Sequence, residues 1–209
     1  MVVIATADAT CAESSTSHRL YKQGPLKFDE FRRDAEEALP GKAYTMTRVM
    51  FKYSFHVRGR NGQHEARLTA INVFAVFLPE VSWWGAREDE WLLDHEQGHL
   101  DIAEIAARRL QLAFNRRFES KRAISATGRT AEKAKQSLEA KIAKVMEVAN
   151  ENVLEENREY DSRTSHGLRD SDQREFRRIQ QLTLKKLGDE LAKNDRRPTR
   201  KPKTSAVVR

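Results

Sequence analysis

The chain has one cysteine, Cys11, so no internal disulfide can hold it together. Set among Ala, Ser and Thr, that lone thiol has nothing beside it to lower its pKa and makes a poor nucleophile. Eighteen apolar residues never run together, which excludes a membrane-spanning helix in the sequence as it stands. Internal repeats are also lacking. The opening MVVIATADATCAESS has no basic n-region, and its apolar run is too short for a signal peptide. VVIATADA nevertheless has the form of the end of an h-region with an Ala-x-Ala cleavage site, should the true start lie upstream, so the compartment stays open.

What the chain has in abundance is charge. Asp, Glu, Lys and Arg make up 33% of its 209 residues, so much of its helical surface must be solvated. The net charge of +7 invites a nucleic-acid reading, but its placement argues otherwise. From Asn194 onward, NDRRPTRKPKTSAVVR carries six basic residues and one acid, which accounts for most of the excess and leaves the body nearly balanced. Such a tail buries too little apolar surface to order itself; it is either solvated or docks on polyanions or an acidic membrane surface. The expected organisation is a flexible N-terminal segment over 1–21, one domain over 22–192 and a basic tail over 193–209. No specific nucleic acid is expected as a partner.

Periodicity assigns the elements. LKFDEFRRDAEEAL, from Leu26, reads as a short strand or helix closed by Pro40-Gly41. From Tyr44 to Val57, the residues Val49, Phe51, Tyr53, Phe55 and Val57 alternate with Arg48, Lys52, Ser54, His56 and Arg58, the pattern of a strand with one wet face. GRNG at 59–62 is turn chemistry, and Glu65 to Leu78 is the returning strand. After a Trp- and Gly-rich loop, Glu88, Asp89 and Glu90 suit a helix N-terminus. That helix runs to about Phe118, with Leu92, Ile102, Ala103, Ala106, Leu110 and Ala113 on its buried side and Gly98 as its one weak point. A second helix is expected over about Thr130 to Arg158, then a loop YDSRTSHGLRDSD, then a last helix over about Ser171 to Ala192. The fold class is α+β, a small antiparallel sheet followed by long helices.

The chemistry sits in LLDHEQGHLDIAEIAARRL, residues 92–110. On a helix His95 and His99 lie within about 40° of each other and roughly 6 Å apart at Cβ, so both rings reach one ion. Glu96 is turned aside from that direction, suited to holding a water bound to the ion and taking its proton. The plainer reading is an exposed helix with two solvated histidines. Against it, Leu92, Leu93, Leu100, Ile102 and Ala103 flank the pair, and unpaired polar groups on an apolar face are costly.

A catalytic zinc needs a third protein ligand. Ile102 and Ile105 stand where the metzincin pattern has Gly and His. Glu119 continues the same helix, some 30 Å along its axis, and Asp101 and Glu104 point away from the histidine face. Of the other histidines, His56 and His64 flank the hairpin turn and His18 belongs to the flexible start. His166, followed by Gly167 in a loop, leads the candidates, with Asp161 or Glu159 as the carboxylate alternative. Tyr160 either donates to a developing oxyanion or anchors the loop. Asp161 either ligates or orients a ligating imidazole.

HEQGHLDIAEIAARRL followed much later by YDSRTSHG resembles the bacterial domain-of-unknown-function family 922, described as predicted secreted zinc-dependent proteases. LKFDEFRR looks like that family's opening Trp/Asp/Phe segment, and FLPEVSWW matches its Ser-Trp element before the metal helix. The likeness spans roughly Leu26 to Leu187 and departs at Lys27 and Leu100. It implies a zincin-like fold, a secreted or periplasmic protein, Zn²⁺ as cofactor, a peptide or protein substrate, and site roles for His95, Glu96, His99 and His166. In zincin-like folds the strand beside the metal helix pairs with extended substrate, which makes Glu65–Leu78 the candidate here. The expected activity is peptide-bond hydrolysis by a zinc-bound water that Glu96 polarises. The rival is a metal-containing helical binding module that turns its basic surface and tail to an anionic partner.

Overall fold

In the computed structural model, residues 3–7, 17–34, 42–85 and 87–195 are described. In chain order the elements are β1 (Val3–Ala7), β2 (Arg19–Leu20), β3 (Ala43–Tyr44), β4 (Thr47–Arg60), β5 (Gln63–Phe77), β6 (Trp83–Trp84), α1 (Glu90–Glu119), β7 (Ser125–Gly128), α2 (Ala131–Thr164) and α3 (Asp170–Asp195). The described residues thus form an α+β unit of three α-helices and a small antiparallel sheet. None of its helices is long and apolar enough to cross a membrane.

The hairpin of β4 and β5 is built by its own sequence. Asn61 and Gly62 adopt positive φ of 52° and 73°, the backbone of a two-residue turn whose twist matches the strands it joins. Val49, Phe51, Tyr53 and Phe55 all point into the core, and the alternate residues face outward. The register slips once, between Ser54 and Phe55, so Thr69 on β5 is the extra residue of a bulge.

The strand order is β1-β4-β5-β2, with β7 also paired to β5. Residues 3–7 pair with Tyr53–Val57, and Arg19–Leu20 with Val76–Phe77. The N-terminal segment 1–21, expected to be flexible, therefore supplies two strands: sheet edges recruit short partners that carry no periodic signal of their own. Cys11 and the rest of 8–16 lie outside the described residues. So do 35–41, which include most of the expected second half of LKFDEFRRDAEEAL, and 196–209 of the basic tail. Phe28–Glu30, at the start of that stretch, is a single 3₁₀ turn rather than a strand or helix, and Glu30 pairs with the buried Arg19.

The core lies between one face of the sheet and α1 and α2. Ile102, Ala103, Ala107 and Phe114 of α1, with Leu138, Ile142 and Val153 of α2, pack on the inward residues of β4 and β5. Capping fixes where each helix begins. Asp89 accepts from the amides of Trp91 and Leu92, and Thr130 from that of Lys133. The third helix, α3, lies against α1 through buried polar groups: Arg177 donates to Asp94 at 3.0 Å and to Asp101 at 2.6 Å, and Gln180 donates to the Gly98 carbonyl at 3.2 Å.

Both edges of the hairpin are closed by side chains from the helices. The Asn150 amide accepts from Val49 N at 2.9 Å and donates to Val49 O at 3.1 Å. On the other side Gln111 accepts from Val73 N at 2.8 Å and donates to Ile71 O at 3.2 Å. With β7 on His64–Arg67, β2 on Val76–Phe77 and Gln111 on Ile71 and Val73, the outer side of β5 is occupied at both ends and at its middle. It is thus no open edge for an extended substrate, contrary to the expectation from the hairpin pattern, which carries no information about what packs alongside.

Candidate metal centre

The middle of α1 is buried at His95 (1% exposed), Glu96 (3%) and His99 (6%). Each offers one ligand-type atom, and these atoms lie within 4.8 Å of one another. The helix carries them here because its apolar neighbours Leu100, Ile102 and Ala103 must face the sheet, and the histidines share that side.

A second set comes from α2. The expected end of this helix at Arg158 is overrun by six residues, so Tyr160 and Asp161 stand on a helix and not in a loop. Asp161 Oδ1 lies 3.1 Å from His95 Nε2 and 3.1 Å from His99 Nε2. Asn157, one turn earlier, accepts from His99 Nδ1 at 3.1 Å. An amide oxygen only accepts, so Nδ1 carries the proton and the neutral ring would aim its Nε2 lone pair at a carboxylate oxygen. That contact is favourable only with positive charge between the two atoms, from a second proton or a metal ion.

Tyr160 is fully buried and lies flat on His95, ring centroids 4.7 Å apart and planes 16° from parallel. Its hydroxyl has no hydrogen-bond partner and lies over Gly98. A Cβ at Gly98 would come within 2.7 Å of Tyr160 Cζ, which explains a glycine in mid-helix despite its cost of about 1 kcal/mol. The hydroxyl faces the helix and not the cavity, and burial holds its pKa above the ordinary phenol value. As placed, Tyr160 braces the His95 ring.

His166 follows the end of α2. Ser165, His166 and Gly167 have φ of 50°, 54° and 85°, a left-handed turn in which the two non-glycine residues cost roughly 1–2 kcal/mol each. The turn is held by the Trp91 indole, which donates to the Gly167 carbonyl at 2.8 Å, and by the His166 amide, which donates to the Asp161 carbonyl at 3.0 Å. It brings His166 Nδ1 to 3.6 Å from Asp161 Oδ1 while the side chain stays 66% exposed. Glu159 is turned to solvent, paired with Arg163 at 3.5 Å.

These groups open on a cavity of about 1390 Å³ between α1, α2 and the stretch from Lys42 to Phe51. Glu96, His95, His99, Asn157, Asp161 and His166 line it, and so do Met46, Met50, Met146, Trp83 and Trp91. Of the tryptophan pair, Trp84 packs on Phe28 and Phe31, and Trp83 stacks on Tyr44. His18 also lines the cavity; His56 and His64, on the hairpin, do not. Sequence reasoning missed Asn157. Its four-residue spacing from Asp161 becomes a signal only once both are known to share a helix.

No family model, no curated protein and no solved structure matches the chain.

The ionisation of the pair sets a pH window. Burial alone would raise the Asp161 carboxyl, but the His95 and His99 rings hold it well below its ordinary value. Burial opposes a charge on His99, yet Asp161, Glu96 and Asn157 together hold its pKa above 6.5. A depressed acid stabilises the fold above its unfolded pKa and loses that contribution as pH falls. A raised base stabilises below its unfolded pKa and loses it as pH rises through the folded value. In metal-free protein, the melting-temperature advantage of wild type over Asp161→Asn is therefore expected to peak between about pH 4 and 6.5 and to shrink on either side. An advantage that does not vary from pH 3 to 9 would contradict this.

Proposed function

We propose that the chain is a zinc-dependent metallopeptidase of zincin-like fold, with His95 and His99 as metal ligands and Glu96 as general base. The observation that carries the reading is the convergence of two buried imidazole nitrogens on one half-buried carboxylate oxygen. Two nitrogens and an oxygen suit zinc, although imidazole also accepts other divalent ions. An ion held there supplies Lewis-acid polarisation of a carbonyl and lowers the pKa of water.

The chain's own residues do the rest. Glu96 is buried with Oε2 lacking a hydrogen-bond partner, so it is free to accept a proton from the attacking water and hand it to the leaving amine. Tyr160 and Asn157 hold the His95 and His99 rings in place. The cavity exceeds the roughly 300–1,000 Å³ usual for a small-molecule site, which supports a polymeric substrate. Its methionines and tryptophans suit apolar side chains of varied shape. The hairpin sheet laid on the helix that bears HEQGH, residues 95–99, and the resemblance to family 922 support the zincin-like reading.

The test is digestion of an unfolded protein by purified chain loaded with one equivalent of zinc, by chelated chain and by chain reloaded with zinc. New peptide N-termini are expected with the first and third only. Metal uptake without cleavage of any unfolded protein in a broad panel would overturn the reading in favour of a binding module.

A further inference from the structure

Two candidates compete for the third ligand of the proposed metal centre, and the geometry separates them. His95 Nε2 and His99 Nε2 each stand 3.1 Å from Asp161 Oδ1. In a tetrahedral zinc shell with arms of about 2.0–2.1 Å, neighbouring ligand atoms are roughly 3.3 Å apart. Each imidazole nitrogen therefore stands from the Asp161 oxygen at nearly the separation of two ligands in one such shell. Asp161 is carried on α2, where Asn157 sits one turn earlier and fixes the partner ring, so a single helix supplies both the ligating and the orienting oxygen.

His166 has a different character. Its side chain is 66% exposed, and its one contact in this cluster is Nδ1 at 3.6 Å from Asp161 Oδ1. It sits in the strained turn 165–167, on the cavity side, where a substrate would pass.

We infer that Asp161, and not His166, is the third protein ligand, and that His166 is left free to face the substrate. The metal centre then joins two helices, α1 through His95 and His99 and α2 through Asp161, and leaves a fourth position open to the cavity. Glu96 stays outside the ligand set. This rests on the reading of His95 and His99 as metal ligands, but not on the peptidase activity.

The measurement is zinc affinity by competition with a chromophoric chelator, alongside X-ray absorption of the wild-type zinc protein. Asp161→Asn is expected to weaken zinc binding by at least about 100-fold, while His166→Ala and Glu96→Gln stay within about 3-fold of wild type. Absorption should count two imidazoles and not three, a result that needs no variant to fold. Three imidazoles, a 100-fold loss confined to His166→Ala, or no zinc uptake by wild type would each overturn the assignment. An inert protein that binds zinc through Asp161 would instead sink the peptidase reading alone.

Discussion

Arg177→Ala is expected to lower stability by about 3–5 kcal/mol, because it strips the counter-ion from a buried carboxylate. Arg177 is 7% exposed and bridges Asp94 and Asp101, two helical turns apart on α1 on either side of the candidate metal site. Asp101 is itself 4% exposed at its side chain, and without the guanidinium it keeps only neutral donors, Gln97 at 2.7 Å and the Tyr21 hydroxyl, so its charge has no counter-ion away from water. Burial disfavours the charge on Arg177, yet the two aspartates hold its pKa above the ordinary guanidinium value, so the guanidinium keeps its charge. At about 2–4 °C per kcal/mol for a chain of this size, the melting point should fall by roughly 6–20 °C. Combining Arg177→Met with Asp94→Asn and Asp101→Asn should restore most of the loss, since neutral groups leave no orphaned charge. A single-variant loss below about 1 kcal/mol in reversible denaturant unfolding would show that the clasp adds nothing net.

Glu96→Gln is expected to lower kcat/KM by about 10²–10⁴-fold with zinc uptake unchanged. Glutamine fills the same volume, so packing around the 3%-exposed side chain is preserved. What it removes is the ability to accept a proton. Steady-state cleavage of an unfolded protein by equal amounts of zinc-loaded wild type and variant makes the comparison. Equal rates would remove Glu96 from the reaction. Lost zinc binding would instead make it a ligand.

The hairpin could be read from its residues because alternation over Val49–Val57 and the Asn-Gly turn are local signals with few competing solutions. The His95/His99 pair could be read for the same reason, since four-residue spacing on a helix fixes a shared face without reference to the rest of the chain. The stretch from Tyr160 to Thr164 could not. Asp161, Ser162 and Thr164 favour caps and turns in isolation, and they continue α2 because Tyr160 is buried between His95 of α1 and Phe176 of α3, and the buried Thr164 hydroxyl donates to the Tyr160 carbonyl. Arg177 and Gln180 were similarly hidden, as was Gln173, which is fully buried and donates to the Trp91 carbonyl at 3.1 Å: on a charged helix nothing in the spacing tells a buried polar residue from a solvated one. The closing of the hairpin's edges by Asn150 and Gln111 depends on partners 101 and 38 residues away, beyond the reach of any local pattern.

Those two amides have a consequence for the chain's fate once it opens. INVFAVF, residues 71–77, carries seven uncharged residues rich in branched and aromatic side chains, the composition of a self-associating segment. In the folded protein Gln111 occupies main-chain groups through which such a segment would recruit copies of itself. Detachment of α1 would uncover the hydrophobic strand and its unpaired backbone together, so keeping that helix seated guards the protein against fibrous aggregation.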